Sequence, residues 1–261
     1  KTMFIANKQN GNMSFETNAA MRMTIDSIGN VGINTSAPDN SAQLEVSSST
    51  KGLLPPRMSS IEREAISSPA TGLMIYNTTT NKPNYYNGTE WMNYDGTSAV
   101  DIGDYYQGGI IFYLDGSGGG LICAVSDQST GAGWGCYGTA ISGADGTAIG
   151  TGSQNTIDIE AGCTTPGIAA DICANLWLND YSDWFLPSKD ELNAMYQNKA
   201  AIDTTAAANG GGSFASSFYW SSSEQSGLGA WRQTFSYGGQ NYNDKVDASR
   251  VRAVRAFNPV E

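Results

Sequence analysis

The chain has 261 residues, of which 40% are hydrophobic and 31 are glycine, a balance typical of β-rich, turn-rich proteins rather than helical bundles. Its formal net charge of -11 argues against nucleic acid and anionic lipid as partners, because both are bound mainly through Lys and Arg. The absence of histidine excludes Ser-His-Asp and Cys-His catalysis and histidine-ligated metal sites, and no apolar run approaches the ~20 residues that span a bilayer.

Residues 1–50 are predicted to form a β shaft. Short period-two apolar runs are separated by Gly, Asn and Pro, and they include Met13 and Phe15, then Met21, Met23 and Ile25, then Val31 and Ile33. Such runs indicate strands with one buried face, but they are too few to close a core within one chain. We therefore expect several copies to associate.

The stretch "MTIDSIGNVGINTSAPDNSAQLEV" in this segment resembles the shafts of phage tail fibres and related trimeric fibres. The matching residues are Arg22 to Ile25, Gly29 to Ile33 and Pro38 to Val46. This resemblance implies a homotrimer in which each chain buries its apolar edge against two others.

Residues 51–98 are predicted to be a connector. The spacing Ser59-x-x-Glu62 is that of a capping box and predicts a short helix that stops before Pro69. An apolar strand is predicted from Leu73 to Tyr76, and Asn87-Gly88 predicts a hairpin. The block resembles linkers that follow fibre shafts in Bacteroidetes-type proteins. Its aromatic residues could either pack against the shaft, which we favour, or bind ligands: Tyr76, Tyr85, Tyr86 and Trp91.

Residues 99–261 are predicted to be an α+β head. "GGIIFYL" and "GLICAVS" predict paired strands across "DGSGGG", which is not a phosphate loop because no Gly-Lys-Ser/Thr follows. Thr165-Pro166 predicts the start of a helix with an apolar stripe of Ile168, Ile172 and Leu176. A second helix is predicted from the capping box Ser188-x-x-Glu191, with a buried face of Leu192, Met195 and Tyr196.

The four cysteines are Cys123, Cys136, Cys163 and Cys173, and none of them forms a C-x-x-C pair, which argues against zinc. An even count favours two disulfides, for which three connectivities are open. Because the turn "TTPG" leads from Cys163 into the helix that carries Cys173, we predict a Cys163–Cys173 bond. The remaining pair, Cys123 and Cys136, would close a loop of similar size.

Three head motifs carry a second resemblance: "SDWFLPSKDELNAMY", "FYWSSSE" and "RVRAVRAF". In this order, between about Asp101 and Phe257, they resemble the C-terminal domain family first described in Legionella collagen-like adhesins. The fold of that family is similar to C-type lectins and to the formylglycine-generating enzyme. The resemblance implies a small twisted sheet, two flanking helices and a ligand surface on the C-terminal strands and loops.

Catalysis and calcium binding are not favoured. Formylglycine-generating enzymes need a cysteine pair near the C-terminal end, and here no cysteine follows Cys173. A glycosidase needs two carboxylates in a cleft, and the candidates are Asp180, Asp183, Asp190 and Glu191. The segment "WLND", Trp177 to Asp180, is similar to the calcium ligands of C-type lectins but carries an extra residue, so an exposed helix end is the favoured interpretation. We expect no cofactor and no metal.

The segment from Phe218 to Lys245 is the candidate binding region. Trp220, Trp231 and Phe235 are predicted to be interior. Gly-flanked polar loops are predicted from Glu224 to Gly229 and from Ser236 to Asp244, and they hold the predicted receptor contacts, namely Gln225, Tyr237, Gln240, Asn241, Tyr242 and Asn243. Tyrosines among small and amide residues are typical of adaptable binding surfaces, although ordinary solvated turns are the alternative.

These patterns favour a non-enzymatic receptor-binding tip of an extracellular trimeric tail fibre, of a phage or a contractile injection system, that attaches to a cell surface. A secreted or surface adhesin of a bacterium is the alternative, and a carbohydrate-active enzyme is a remote one.

Overall fold

The computed structural model describes residues 7–258 and divides the chain into two compact units, residues 1–56 and 57–261. The first six residues of the predicted shaft and the last three of the predicted head therefore lie outside the described residues. The described chain is rich in β structure and the second unit is α+β, so the predicted fold class is confirmed. The predicted boundaries at residues 50 and 98 stay predictions.

The first unit contains one four-stranded sheet in the order β1-β2-β3-β4. Its strands are β1 (Met13–Thr17), β2 (Ala20–Ile25), β3 (Val31–Ile33) and β4 (Leu44–Val46). The register aligns Met13 with Ile25 and Phe15 with Met23, and the pairing continues in step across β3 and β4. One face of the sheet, the apolar shaft face, therefore carries Met13, Phe15, Met23, Ile25, Val31, Ile33, Leu44 and Val46.

The apolar shaft face is not covered by other residues of the described part of its unit, residues 7–56. None of its eight side chains is buried, and Phe15, Leu44 and Val46 are 44%, 56% and 39% exposed. The opposite face differs, because the segment after β3 crosses directly over Gly32, where a Cβ would lie 2.6 Å from the Thr35 carbonyl oxygen. Within the described residues, the face with small and polar side chains is therefore covered in part, and the apolar face is accessible to solvent.

The second unit begins with a sheet in the order β5-β6-β7-β8 and one short helix. These elements are β5 (Arg57–Met58), α1 (Ser60–Glu64), β6 (Met74–Asn77), β7 (Lys82–Tyr86) and β8 (Trp91–Asn93). The predicted capping box is confirmed, since the Glu62 amide donates to the Ser59 hydroxyl and the Ser59 amide donates to the Glu62 carboxylate. The Asn-Gly hairpin is also confirmed, with Tyr86 opposite Trp91.

The rest of the second unit contains two sheets, in the orders β17-β11-β10-β9 and β12-β16-β13-β14-β15, and four helices. The strands are β9 (Tyr105–Tyr106), β10 (Gly109–Leu114), β11 (Gly120–Cys123), β12 (Ser129–Ala132), β13 (Phe218–Glu224), β14 (Gly229–Thr234), β15 (Gln240–Asp244), β16 (Ser249–Val251) and β17 (Val254–Phe257). The helices are α2 (Gly152–Gly162), α3 (Ala169–Ala174), α4 (Lys189–Gln197) and α5 (Lys199–Ala208). The predicted hairpin across "DGSGGG" is the antiparallel pair β10 and β11.

The helices follow the prediction in part. Helix α4 and its capping box of Ser188 and Glu191 are confirmed. Helix α3 is present but begins at Ala169 rather than at Thr165, and Leu176 lies beyond its end. Helices α2 and α5 were not predicted, because the buried positions of α2 are mostly small or polar and give no apolar stripe.

The predicted disulfide pairings are wrong: the bond joins Cys136 to Cys163, with a Cα–Cα distance of 5.7 Å. Cys163 follows the end of α2, and Gly135 runs so close to it that a Cβ there would lie 3.1 Å from the Cys163 sulfur. Cys123 and Cys173 are free thiols, because β11 and α3 turn them into separate parts of the core. The spacing of the cysteines along the sequence does not predict this tertiary arrangement.

Two carboxylates join the three head motifs. Asp183 of "SDWFLP" pairs with Arg255 of "RVRAVRAF" at 2.7 Å. Asp127 accepts hydrogen bonds from Tyr219 of "FYWSSSE" and from Arg250 and Arg252 at 2.8 to 2.9 Å. These bonds tie β17, β16 and β13 to the segments before α4 and β12.

A buried ion pair closes the last sheet. Glu224, at the end of β13, meets Lys245, which directly follows β15, and both side chains are almost fully buried. The Lys245 ammonium also donates to the Thr139 carbonyl and lies 4.4 Å from the centroid of the Trp134 ring. The Glu224 carboxylate accepts the Ile141 amide. All polar atoms of the pair are thus engaged, which a buried charge requires.

The Cys136–Cys163 bond predicts a definite labelling pattern. With native protein we expect an alkylating reagent to modify no cysteine, because Cys123 and Cys173 are buried and burial raises the pKa of the Cys123 thiol to about 12. Mass spectrometry should find two modified residues after denaturation and four after denaturation with reduction. Replacing Cys136 and Cys163 by serine should lower the free energy of unfolding by about 3 to 4 kcal/mol for this 27-residue separation. Modification of Cys136 or Cys163 without reduction would contradict the pairing.

The buried ion pair predicts that Lys245→Met lowers the free energy of unfolding by about 3 to 5 kcal/mol, because the Glu224 charge is left without its partner. The double variant Glu224→Gln with Lys245→Met should recover part of this loss, since no charge is then buried. Urea unfolding of both variants measures the difference. A single variant as stable as the parent would show that the pair does not hold the sheet.

Candidate functional site

Strands β14 and β15 form a hairpin at the edge of the last sheet. Trp231 lies opposite Tyr242, Arg232 opposite Asn241, and Gln233 opposite Gln240. The predicted loop from Ser236 to Asp244 is therefore wrong for residues 240–244, which form the edge strand β15. The Gln, Asn and Tyr side chains of β15 are compatible with a strand, although strands are usually recognised in a sequence by aliphatic residues.

Trp231 and Tyr242 form an aromatic pair on the surface of this hairpin. Their ring centroids are 5.9 Å apart in an edge-on arrangement, and the Lys189 ammonium, in the first turn of α4, lies 5.1 Å from the Trp231 ring. Tyr242 is 58% exposed and Trp231 is half-buried. The prediction that Trp231 is interior is therefore wrong, whereas Trp220 and Phe235 are buried as predicted.

The turn between β14 and β15 is fixed by two glycines. Gly238 has a φ of 81°, and a Cβ there would lie 2.2 Å from the ring of Tyr196 on α4, so the turn rests directly on that ring. Gly239 lies under the ring of Tyr237, where a Cβ would come within 2.5 Å. Tyr237 is 73% exposed at the tip. Its position is set by a backbone that only glycine permits.

The remaining predicted contact residues divide into two groups. Gln225 and Asn241 are exposed, the first in the β13–β14 turn and the second beside Arg232, whose Nε donates to it at 3.2 Å. Gln240 is half-buried and donates to the Lys189 carbonyl at 2.8 Å, and Asn243 donates to the Asp247 carboxylate. Gln240 and Asn243 therefore hold the hairpin in place as well as line it.

The structure brings five of the six predicted contact residues together on one hairpin and adds two that the sequence analysis did not select, Trp231 and Lys189. We call this set the hairpin face: Lys189, Trp231, Tyr237, Gln240, Asn241, Tyr242 and Asn243. The register places Trp231, Gln240 and Tyr242 on one side of the hairpin and Asn241 and Asn243 on the other. Gln225 lies at the opposite end of β14, in a turn closed by its amide and the Gly229 carbonyl. Only the alternation of β14 could have shown that Trp231 lies on a polar side. Gln233, two residues away, faces the same side as Trp231, and its side chain bonds the polar Asn193 on α4.

The four acidic residues considered for catalysis lie in an ion pair, in the first turn of a helix or in a tight turn. Asp183 pairs with Arg255, and Asp190 lies in the first turn of α4, where negative charge is favourable. Glu191 accepts the Ser188 and Gly150 amides at 2.7 and 2.8 Å, and burial raises its pKa. Asp180 and Asn179 have φ of 67° and 53° in a turn in which the Asn179 amide donates to the Gly108 carbonyl.

Two family models match the sequence. The phage tail-like trimerisation region matches residues 32–104, and the Lcl C-terminal domain matches residues 123–255. None of the curated proteins compared with the chain matches it. Within residues 7–258, no helix has the length and apolar character that a membrane span requires.

The first match covers β3 from Gly32 onward, β4 and the sheet of β5 to β8, which we call the connector sheet, and the second covers the whole hairpin face. They indicate a tail-fibre-like or surface-adhesin-like protein that contains a trimerisation region. Because the second match spans half of its length, the chain belongs to the Lcl C-terminal domain family.

Proposed function

We propose that the chain is the receptor-binding tip of a homotrimeric tail fibre of a phage or contractile injection system, and that it attaches to a cell surface through the hairpin face without catalysis. The observation that supports attachment most is the exposed pair of Trp231 and Tyr242 on a hairpin whose base is closed by the buried pair of Glu224 and Lys245.

The apolar shaft face supports the trimer. Eight apolar side chains on one face of a four-stranded sheet remain accessible, and burying an exposed side chain of this kind contributes roughly 1.5 to 3 kcal/mol, with less from the five that are already partly buried. A second and a third copy of the same sheet offer the complementary apolar surface. The match to a trimerisation region begins at Gly32, within this sheet.

The hairpin face has the chemistry of a contact surface. Trp and Tyr are enriched at the centres of protein interfaces because their rings supply large area at low entropic cost. Tyr237 at the tip, and Asn241 on the other side of the hairpin from the two rings, add exposed hydrogen-bonding groups. The lysine beside Trp231 gives a local positive charge on an otherwise acidic chain.

The absence of catalysis is proposed from the surroundings of the acidic side chains. Asp183 is neutralised by Arg255, and Glu191 is occupied by backbone amides within its capping box. Neither carboxylate is free to serve as acid or nucleophile. Release of soluble products from target-cell polysaccharide would contradict this part of the proposal.

Trimerisation through the apolar shaft face predicts that Val46→Asp weakens assembly by roughly tenfold or more, because a carboxylate would be buried in the interface. The matched control is Ser14→Asp, which places the same charge on the opposite face of the sheet. Light scattering after size-exclusion chromatography measures the mass of each. A parent chain that is monomeric, or a Val46→Asp variant that remains as trimeric as the control, would contradict the proposal.

Attachment through the hairpin face predicts that Trp231→Ala and Tyr242→Ala each weaken binding to target cells by about 2 kcal/mol or more, roughly 30-fold. Stability should fall by much less than the 3 to 5 kcal/mol typical of buried aromatic residues, because both rings are partly exposed. Alanine at Gln225, Tyr237 or Asn241 should have smaller effects. The cells are first chosen by a whole-cell screen with the parent trimer.

The control for this experiment is Trp177→Ala, since Trp177 is 69% exposed and lies beyond α3 rather than on the hairpin. It should bind cells like the parent. If both hairpin variants also bind like the parent at unchanged melting temperature, the hairpin face is not the attachment site.

A further inference from the structure

A cleft of about 520 Å³ lies between the connector sheet and the first strands of the head, away from the hairpin face. Its walls come from the end of α1, the β7–β8 hairpin and β9. Its lining residues include Glu64, Tyr86, Glu90, Trp91, Asp104 and Tyr105. All of these belong to the second unit.

Aromatic rings form much of the wall. Tyr86 and Trp91 lie with ring centroids 5.5 Å apart, edge to face, and the Tyr86 hydroxyl donates to the Thr89 carbonyl. Tyr106 packs edge-on against Phe257 at 5.4 Å. Tyr105, 43% exposed, completes the wall from β9. Three of the rings are fixed by these contacts, so the cavity is preformed.

The charge around these rings is negative. Glu64, Glu90 and Asp104 line the cleft, and none of its described lining residues is Lys or Arg. The neighbouring Arg63 is buried; its guanidinium is bonded to Glu64 and to the Asn84 side chain and lies 5.9 Å from the centroid of the Trp91 ring, so Trp91 is already paired with a cation. Glu90 and Asp104 form no ion pair within residues 7–258.

The Asp104 carboxylate is the most constrained of these acids. It accepts the Asp101 amide at 2.8 Å, and burial, together with the charges of Asp101 and Glu64, raises its pKa. Its negative charge is thus held at an energetic cost that a nearby cation would offset. The aromatic rings that line the cleft would also favour such a cation, because aromatic faces attract ammonium groups.

We infer that this cleft binds an alkylammonium group, such as a quaternary ammonium or the side chain of a lysine. The rings of Tyr86, Tyr105 and Tyr106 would surround its carbon atoms, while Glu90 and Asp104 balance its charge. This site is independent of the hairpin face and does not rest on the proposed receptor binding.

The test is isothermal titration calorimetry of the full-length trimer with choline. We expect a dissociation constant of roughly 1 mM or tighter. The neutral isostere 3,3-dimethyl-1-butanol should bind at least about tenfold more weakly, because it matches choline in shape but lacks the charge that the rings and carboxylates recognise. A second arm with N-acetyl-lysine amide distinguishes a quaternary ammonium from a lysine side chain as the source of the group.

Two variants locate the site, and two controls match them. Tyr105→Ala and Glu90→Gln should each weaken choline binding roughly fivefold or more, since they remove a wall and a charge without emptying the core. Tyr237→Ala removes an exposed ring elsewhere, and Glu16→Gln removes one negative charge from the first unit, so neither should change binding. The inference is overturned if neither ammonium probe binds, if the neutral isostere binds equally well, or if the controls weaken binding as much as the cleft variants. Binding of neutral hexoses in place of choline would also overturn it and assign the cleft to sugars.

Discussion

The buried pair of Glu224 and Lys245 is the constraint on which the presented surface depends. The two residues lie at the end of β13 and just after β15, so their contact closes the meander that contains β14. The β14–β15 hairpin lies between them in the sequence, so its base is closed by this contact. Because an unpaired charge at this depth would be strongly unfavourable, the pair keeps the hairpin in one position. A surface that must bind without rearrangement benefits from such a base, since less entropy is lost on association.

The head is held together by the same kind of contact at two further points. Asp183 links the segment before α4 to Arg255, and Asp127 links Tyr219 to Arg250 and Arg252. Arg252 also lies 4.3 Å from the centroid of the Phe214 ring, within the apolar core. Three sequence motifs far apart in the chain therefore meet through carboxylates and arginines. The scaffold is fixed by these ion pairs, of which Arg252 and Arg255 are the buried partners, and Trp231, Tyr237 and Tyr242 take no part in them.

Local patterns in the sequence predicted local structure well. Both capping boxes, the Asn-Gly hairpin and the glycine-rich hairpin are present because each depends on hydrogen bonds and φ angles within a few residues. Helix α2 escaped prediction because its buried positions, including Asn155 and Thr156, are polar and are satisfied by distant partners such as Ser222 and Leu186. The disulfide pairing was predicted wrongly because Gly135 and Cys163 come close only in the folded chain.

The candidate site was predictable in place but not in detail. The Tyr, Asn and Gln content of residues 236–244 predicted an exposed segment, and Tyr237, Asn241 and Tyr242 are exposed, but strand β15 carries no aliphatic alternation and was interpreted as a loop. Spacing of four along β14 put Trp231 and Phe235 on one face, whereas the strand ends at Thr234 and the chain turns there. Phe235 therefore enters the core while Trp231 stays at the surface beside Lys189.

The central claim is that the β14–β15 hairpin is the surface that meets the receptor. Hydrogen–deuterium exchange of the trimer, with and without purified envelope from the cells to which it attaches, tests this most directly. The account predicts slower exchange of backbone amides in residues 229–244, above all along edge strand β15, with the buried core of the head unchanged. Protection confined to other parts of the head or to the connector, with exchange of residues 229–244 unaltered, would contradict it.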